Sequence, residues 1–357
     1  KLKLDSKDFQ ENTSNEHSET RFFDIWEDMG FILLLFIIPL ALLAHRKNAL
    51  LILAACVIYT PEKTYAFEWQ DLWKTKDQQA QEALNNSKVE QAAELFESTA
   101  HKGYSQYKAQ QYEAASEQFS KENSTNSLYN LANSLAMQHK YQEAIDNYVI
   151  TLELDDATAF VYMRIGECHE KIENFEAAIS FYKKAVHEDP LLDKGWMLLT
   201  NLYFEHENYQ KASYYISKAL KIEEDNSFYW RRYAEINLKL NFYEEAVTGF
   251  KNCLNLNDDA LEIYIGLTDV LSFLGEFNDA ISVMLKAQKN YKNVAEIEYR
   301  LAGLFFILNK EDYGFNHLIV GLKIDYDYHV VLKELYSIVY ENQKVQKLIT
   351  DFKKALE

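Results

Sequence analysis

A small residue recurs every 34 positions through most of this chain: Ala144, Ala178, Ala212, Ala246, Ala280 and Gly314. Four residues after each stands a larger one: Tyr148, Tyr182, Ile216, Phe250, Met284 and Leu318. Three further on comes another small one: Thr151, Ala185, Ala219, Cys253, Ala287 and Gly321. Offsets of four and three fall on one face of a helix. A constant period without insertions means stacked copies of one supersecondary unit, because no single copy can bury its apolar face alone.

The other half of each unit also carries a pattern. From Ala159 the anchors are Tyr162, Ile165, Gly166 and His169, and later units give Trp196, Leu199, Thr200 and Tyr203, then Trp230, Tyr233 and Ala234. Tyr264, Leu267, Thr268 and Leu271 follow, then Leu301, Ala302 and Phe305. Each unit therefore reads as two helices, A and B. Turns are predicted at Glu173-Asn174, Glu207-Asn208, Gly275-Glu276 and Asn309-Lys310, and Asp189-Pro190 ends one B helix, because proline moves its predecessor out of the α region. Only 10 glycines and 3 prolines in 357 residues leave little room for a turn-rich β fold, and an aromatic content of 14% is too high for a disordered chain. The fold class is all-α.

These residues at this spacing resemble the tetratricopeptide repeat, best at 159–192 and in six full units over 125–328. The resemblance implies an α-solenoid, a right-handed superhelix of helical hairpins. It implies repeat packing by Gly166, Ala178, Ala185, Pro190, Ala212, Ala219, Ala246, Ala280, Ala287 and Gly314. It also implies a concave, A-helix-lined face for protein partners. The inward positions are Tyr129 and Asn133; Phe160, Met163, Glu167 and Glu170; Lys194, Met197, Asn201 and Phe204; Phe228, Arg231 and Glu235; Ile265, Asp269 and Phe273; Tyr299 and Phe306. Some members of the family clamp a terminal carboxylate. Asn133 and Lys194 match that clamp, but Tyr129 and Leu198 replace its expected lysine and arginine, so apolar contacts are expected to dominate. The alternative is that several of these residues only pack between units.

The flanks are less regular. Ala92 and Phe96, then Ala115 and Phe119, repeat the B signature only 23 residues apart, so 67–124 reads as irregular, degenerate repeats with a truncated helix near Gly103–Gln110. Residues 329–357 read as capping helices, Val330–Tyr340 and Val345–Ala355, the first with Leu332, Leu335 and Val339 on one face. Terminal units of such arrays are atypical because nothing stacks beyond them.

Residues 1–29 form a polar tail, or the remnant of an upstream domain; the chain opens on Lys1, and an upstream domain is left open. Residues 30–60 are apolar in two runs, Gly30–Ala44 and Ala49–Tyr59, separated by His45-Arg46-Lys47-Asn48. Each is shorter than the roughly 17 residues that span a bilayer. Two membrane geometries fit, a hairpin with Arg46 and Lys47 at the cytoplasmic turn, or one spanning helix plus an interfacial segment. The positive-inside rule favours the hairpin and puts the repeats on the periplasmic side of a bacterial inner membrane. A buried soluble hairpin is the competing reading, as is a secretory signal ending near Thr64-Tyr65-Ala66. Past these runs, Phe67-Glu68-Trp69-Gln70-Asp71-Leu72-Trp73 resembles bacterial proteins that join a von Willebrand factor A domain to tetratricopeptide repeats, the aerotolerance (Bat-type) group. The adhesion-site motif of that A domain, Asp-x-Ser-x-Ser, does not occur, so no metal site is carried over.

Chemistry is sparse. The chain has no HExxH, Gly-rich phosphate loop, GxSxG or CxxC. Cys168 and His169 are adjacent, but in the register of the repeat His169 is a packing position. The acidic pairs Asp155-Asp156 and Asp258-Asp259 precede helix starts, where negative charge is favourable anyway. No enzyme activity, cofactor or metal is expected, and a small-molecule substrate is disfavoured. A net charge of -18 without a basic cluster disfavours nucleic acid. The expected partners are protein or peptide segments, and membrane lipid through residues 30–60. The expected function is a membrane-anchored scaffold in a bacterial envelope complex. The alternatives are an assembly subunit without a discrete groove, or the non-catalytic part of a protein whose active domain lies upstream.

Overall fold

The computed structural model describes residues 37–38, 73–154 and 158–356. The tail at 1–29, Phe67–Leu72, Asp155-Asp156 and the apolar runs at 30–60 apart from Ile37 and Ile38 lie outside the described residues. Among those described there is no strand, and no helix is long and apolar enough to cross a membrane.

The chain divides into two compact units, Lys1–Asn174 and Phe175–Glu357. In the first, helix Lys76–Asn85 pairs with Val89–Leu95, Thr99–Lys108 with Tyr112–Phe119, and Thr125–Met137 with Tyr141–Leu154, followed by Ala159–Lys171. The second begins with Phe175–Glu188. Four hairpins follow: Asp193–Glu205 with Tyr209–Ile222, Ser227–Lys239 with Tyr243–Asn255, Leu261–Phe273 with Phe277–Asn290, and Ala295–Ile307 with Glu311–Ile324. A short 3-10 turn Asp327–His329 and helices Val330–Leu335, Ser337–Tyr340 and Gln343–Leu356 close the chain.

Local chemistry explains the helix ends. Thr75 and Gln78 form a capping box, and the side chains of Ser124, Asn208 and Asn226 each accept from a backbone N–H three residues on. These bonds satisfy donors that a helix start leaves orphaned. Every A helix stops in the same way. The residue two past its end adopts a left-handed conformation: Ser87, Gln110, His139, Glu173, Glu207, Asn241, Gly275 and Asn309. At Glu207 the local bonds are Asn208 N–H to the Tyr203 carbonyl at 2.8 Å and Glu207 N–H to the Phe204 carbonyl at 3.0 Å. That 6→1 and 5→2 pair is the Schellman motif. The same pair recurs at the other seven turns, for example Lys310 N–H to Phe305 and Asn309 N–H to Phe306. One turn geometry thus ends every described A helix, from Lys76–Asn85 to Ala295–Ile307.

The small residues take equivalent places. Ala92, Ala115, Ala144, Ala178, Ala212, Ala246 and Ala280 are each the fourth residue of a B helix and have no exposed surface; Gly314 holds the same place in the last. Ala185, Ala219 and Ala287 are also fully buried, and Gly166 is buried. Pro190 differs from the expected packing role. It is exposed in the turn after Glu188, where its carbonyl accepts a 2.9 Å hydrogen bond from Trp196 Nε1. Its ring ends a helix and leaves the packing to its neighbours.

The flanks refine the sequence reading. The 76–119 segment is a pair of shortened hairpins with the standard turn, and the truncated helix is Thr99–Lys108. At the C-terminus the expected helix Val330–Tyr340 is broken. Tyr336 leaves the helical region (φ -134°, ψ 57°), so Leu332 and Val339 are buried while Leu335 is 43% exposed.

Gly275 is the one glycine among the described left-handed positions, and a Cβ there would meet nothing within 4 Å. Gly275→Ala is therefore expected to lose about 1 kcal/mol through backbone conformation alone. Urea unfolding followed by far-UV circular dichroism measures this, and an unchanged midpoint would show that the turn does not hold its left-handed residue.

Candidate functional site

The A helices place positions 2, 5 and 9 of each unit on one face. In the first compact unit much of that face is filled. Tyr129 and Met163 are buried, and Asn133 accepts a 2.6 Å hydrogen bond from the buried Tyr148 hydroxyl. The Tyr129 and Tyr148 rings lie 5.7 Å apart, and burial raises both phenols above their ordinary value. Arg164, also buried, pairs with Glu167 at 2.7 Å. Phe160 is exposed, and Glu167 and Glu170 are half-buried. Here Tyr129, Asn133 and Met163 pack, while Phe160, Glu167 and Glu170 keep exposed surface.

The second unit is more open. Met197 is buried, and Lys194, Asn201 and Phe204 are partly exposed on Asp193–Glu205. On the next A helix, Phe228 is half exposed beside Arg231, Arg232 and Glu235. These four residues line an open cleft of about 280 Å³. Arg231 Nε donates to Glu235 Oε1 at 3.3 Å, and Arg232 Nη1 donates to Glu235 Oε2 at 2.9 Å. The Arg232 guanidinium also sits 4.7 Å from the Phe204 ring centre, a cation–π contact. One carboxylate therefore serves two guanidiniums, and the cleft keeps one uncompensated positive charge in a chain of net charge -18. Among the described residues, Arg232 Nε and Asn201 Oδ1 are buried without a hydrogen-bond partner. An unpaired buried donor or acceptor is costly unless a ligand or water meets it. The cleft thus sets an unpartnered donor and an unpartnered acceptor beside the exposed Phe228 and the partly exposed Phe204.

Arg232 was missed by the sequence reading. Its position is not inward in the repeat register, and it reaches the cleft because its long side chain folds across Phe204. The signal available was Arg231-Arg232 beside Glu235 on a helix, one acidic group for two basic ones at offsets of four and three.

Toward the C-terminus the face changes again. Phe273 is 68% exposed and leans on Tyr243, with ring centres 4.3 Å apart. Ile265 is half-buried against the core. Asp269 is ion-paired with Arg300, which also bonds Glu296 at 3.0 Å. Tyr299 is fully buried, its hydroxyl donating to the Asp325 carbonyl at 2.8 Å. Phe306 turns into its own hairpin, 2.9 Å from where a Cβ on Gly314 would lie. Tyr299 therefore contributes to packing, and Phe306 is partly buried in its own hairpin.

Among the described residues, Cys168 and Cys253 are buried and in no disulfide. Burial pushes the Cys168 and Cys253 thiols up to about 12, opposite to a reactive thiolate, and burial lowers His169. Among the described residues there is no cluster of three or more His, Cys, Asp or Glu side chains placed to hold a metal ion.

With that geometry in hand, a family model described as tetratricopeptide repeat matches residues 129–192. That stretch matches the tetratricopeptide repeat. The chain is similar to the tetratricopeptide repeat-containing protein trd-1 of Caenorhabditis elegans, 25% identical over 138 residues, 37% of this chain and 18% of that protein. It is also similar to anaphase-promoting complex subunit 3 of Schizosaccharomyces pombe, 20% identical over 204 residues, 57% of this chain and 31% of that one. Both matches span less than a third of the relative. Among solved structures, the C-terminal part of a tetratricopeptide repeat-containing protein from Cytophaga hutchinsonii superposes with a TM-score of 0.55 at 16% identity, over 69% of this chain and 97% of that one. That likeness shows the fold, an all-α array of tetratricopeptide hairpins.

Proposed function

We propose that the chain is a scaffold whose repeats dock a segment of a partner protein on the A-helix face of 193–239. The observation that carries the reading is the cleft of Phe228, Arg231, Arg232 and Glu235, with its surplus positive charge and the unpartnered Arg232 Nε. The segment that fits is extended, with an acidic side chain for the arginines and an apolar or aromatic one for Phe204 and Phe228. Aromatic and arginine side chains are the usual anchors of such interfaces. The likeness to a named complex subunit supports a role in assembly. Nothing in the cleft supplies a nucleophile or an acid–base pair, so binding rather than turnover is its chemistry.

We further infer that residues 30–60 tether the repeats to a bacterial inner membrane, with the repeats on the periplasmic side and the partners in the envelope. The support is the pair of charge-free runs around Arg46 and Lys47 and the resemblance of the following segment to Bat-type proteins.

A displayed peptide library selected on the full chain tests the docking face. Enriched peptides are expected to carry Asp or Glu next to an aromatic residue, and to bind Arg231→Glu and Phe228→Ala at least tenfold more weakly. A tenfold change is about 1.4 kcal/mol. Undiminished binding by both variants would contradict the reading. For the tether, the full chain is expected to stay with the membrane in alkaline carbonate, and a chain lacking 30–60 to be released; release of both would remove the anchor.

A further inference from the structure

The last repeat does not end as the internal ones do. In the internal units, each B helix is followed by an A helix that packs on it, as Ala295–Ile307 packs on Phe277–Asn290. After Glu311–Ile324 the chain instead turns through Asp327–His329, and Val330–Leu335 and Ser337–Tyr340 pack mainly on Ala295–Ile307, the A helix. They lie across the face that in the preceding repeats is left for partners. Gln343–Leu356 serves the array end separately: it packs on Glu311–Ile324, and its Phe352 ring stacks on Tyr326 at 6.4 Å.

The contacts fall on the inward positions of the last unit. At position 2, Glu296 accepts a 3.0 Å hydrogen bond from the Tyr328 hydroxyl. At position 5, the Tyr299 ring stacks on Tyr328 with centres 6.4 Å apart. At position 9 stands Gly303, and its missing side chain is the seat of the Tyr336 ring. A Cβ there would lie 2.2 Å from Tyr336 Cδ2 and 2.5 Å from Cε2. Tyr336 is buried, and its surroundings are polar on the hydroxyl side: Ser272, at position 12 of the unit before, and the Arg300–Asp269 ion pair lie there. Glycine at an inward position, a buried tyrosine seated over it, and polar groups one repeat back together describe a ring-shaped site already filled.

We propose that the A-helix face of the last two repeats is a binding site for a tyrosine-bearing protein segment, and that segment 327–340 closes it in cis through Tyr336. A partner segment reaches Gly303 only by displacing Tyr336. This rests on the reading that the A-helix face docks protein segments, but it concerns a different part of that face from the Arg231 cleft.

The break at Tyr336 fits a latch. Val330–Leu335 and Ser337–Tyr340 are short, and Leu335 and Ile338 point outward, at 43% and 87% exposure. The segment keeps its hold through Tyr328, Leu332, Tyr336 and Val339, with Val331 and Tyr340 packed on the same core. Release of the latch is a local opening, separate from unfolding of the repeats.

The test uses the full chain and a fluorescent peptide spanning Tyr326–Asn342. Wild type is expected to bind it at least tenfold more weakly than Tyr336→Ala, whose site is open. Adding Gly303→Leu to Tyr336→Ala is expected to abolish binding, because the new side chain fills the seat. A peptide with alanine at the Tyr336 position is expected not to bind the open chain. Equal binding by wild type and Tyr336→Ala, or undiminished binding by the double variant, overturns the proposal. Should Tyr336→Ala lose its helical spectrum, hydrogen exchange on wild type decides: amides of 330–340 are expected to exchange well before those of Ala295–Ile307, and loss of protection in both together overturns the latch. Arg231→Glu is expected to leave this peptide's binding to the open chain unchanged, which separates failure of the latch from failure of the cleft.

Discussion

The array depends on the close crossing of each A helix with its B helix, made possible by small side chains at the crossing. The distances at one crossing show how little room there is. A Cβ on Gly249 would stand 2.8 Å from Ala234 Cβ and 3.0 Å from both the Ala234 nitrogen and the Trp230 carbonyl oxygen. Backbone cannot give way as a flexible side chain can, so the space is fixed. With a small residue buried at the fourth position of every described B helix, the crossing tight at Gly249 three residues past Ala246, and one Schellman turn repeated from Ser87 to Asn309, successive A helices within each compact unit present the same positions to the same side. A shared A-helix face within each compact unit is a consequence of that repetition.

What the face does then depends on which inward residues the repeats themselves consume. Tyr129, Met163, Met197 and Tyr299 all stand at position 5, and all are buried. Arg231, at the same position, is not, because its guanidinium is drawn to Glu235 and stays at the surface. One repeat thus keeps an open, charged cleft, while the last closes its own face with Tyr336. The two ends of the 193–340 surface differ in occupancy although they descend from the same pattern.

The period of 34 made the hairpins from Thr125 onward legible, along with the place of Ala178, Ala212, Ala246 and Ala280, because small residues at a crossing have no substitute and leave a mark in the sequence. The turn geometry was only half legible. Seven of its eight left-handed residues are not glycine, so hydrogen bonding rather than composition carries it. Of the site, Phe228, Arg231 and Glu235 followed from the register, whereas Arg232 did not, since side-chain length rather than helical position brings it over Phe204. The course of 327–340 was hidden for a different reason. Val330–Tyr340 has the spacing of an amphipathic helix, and what breaks it is a tertiary contact, the Tyr336 ring over Gly303, 33 residues earlier in the chain. No local pattern encodes a contact of that kind.

The central claim is that small side chains at the fourth B-helix position hold the hairpins together. Urea unfolding of Ala212→Leu, Ala246→Leu and Ala280→Leu tests it most directly, with the exposed Ala355→Leu as control. Each buried substitution is predicted to lose about 1–3 kcal/mol by overpacking, with the control unchanged. Midpoints equal to wild type in all three buried variants would contradict the account.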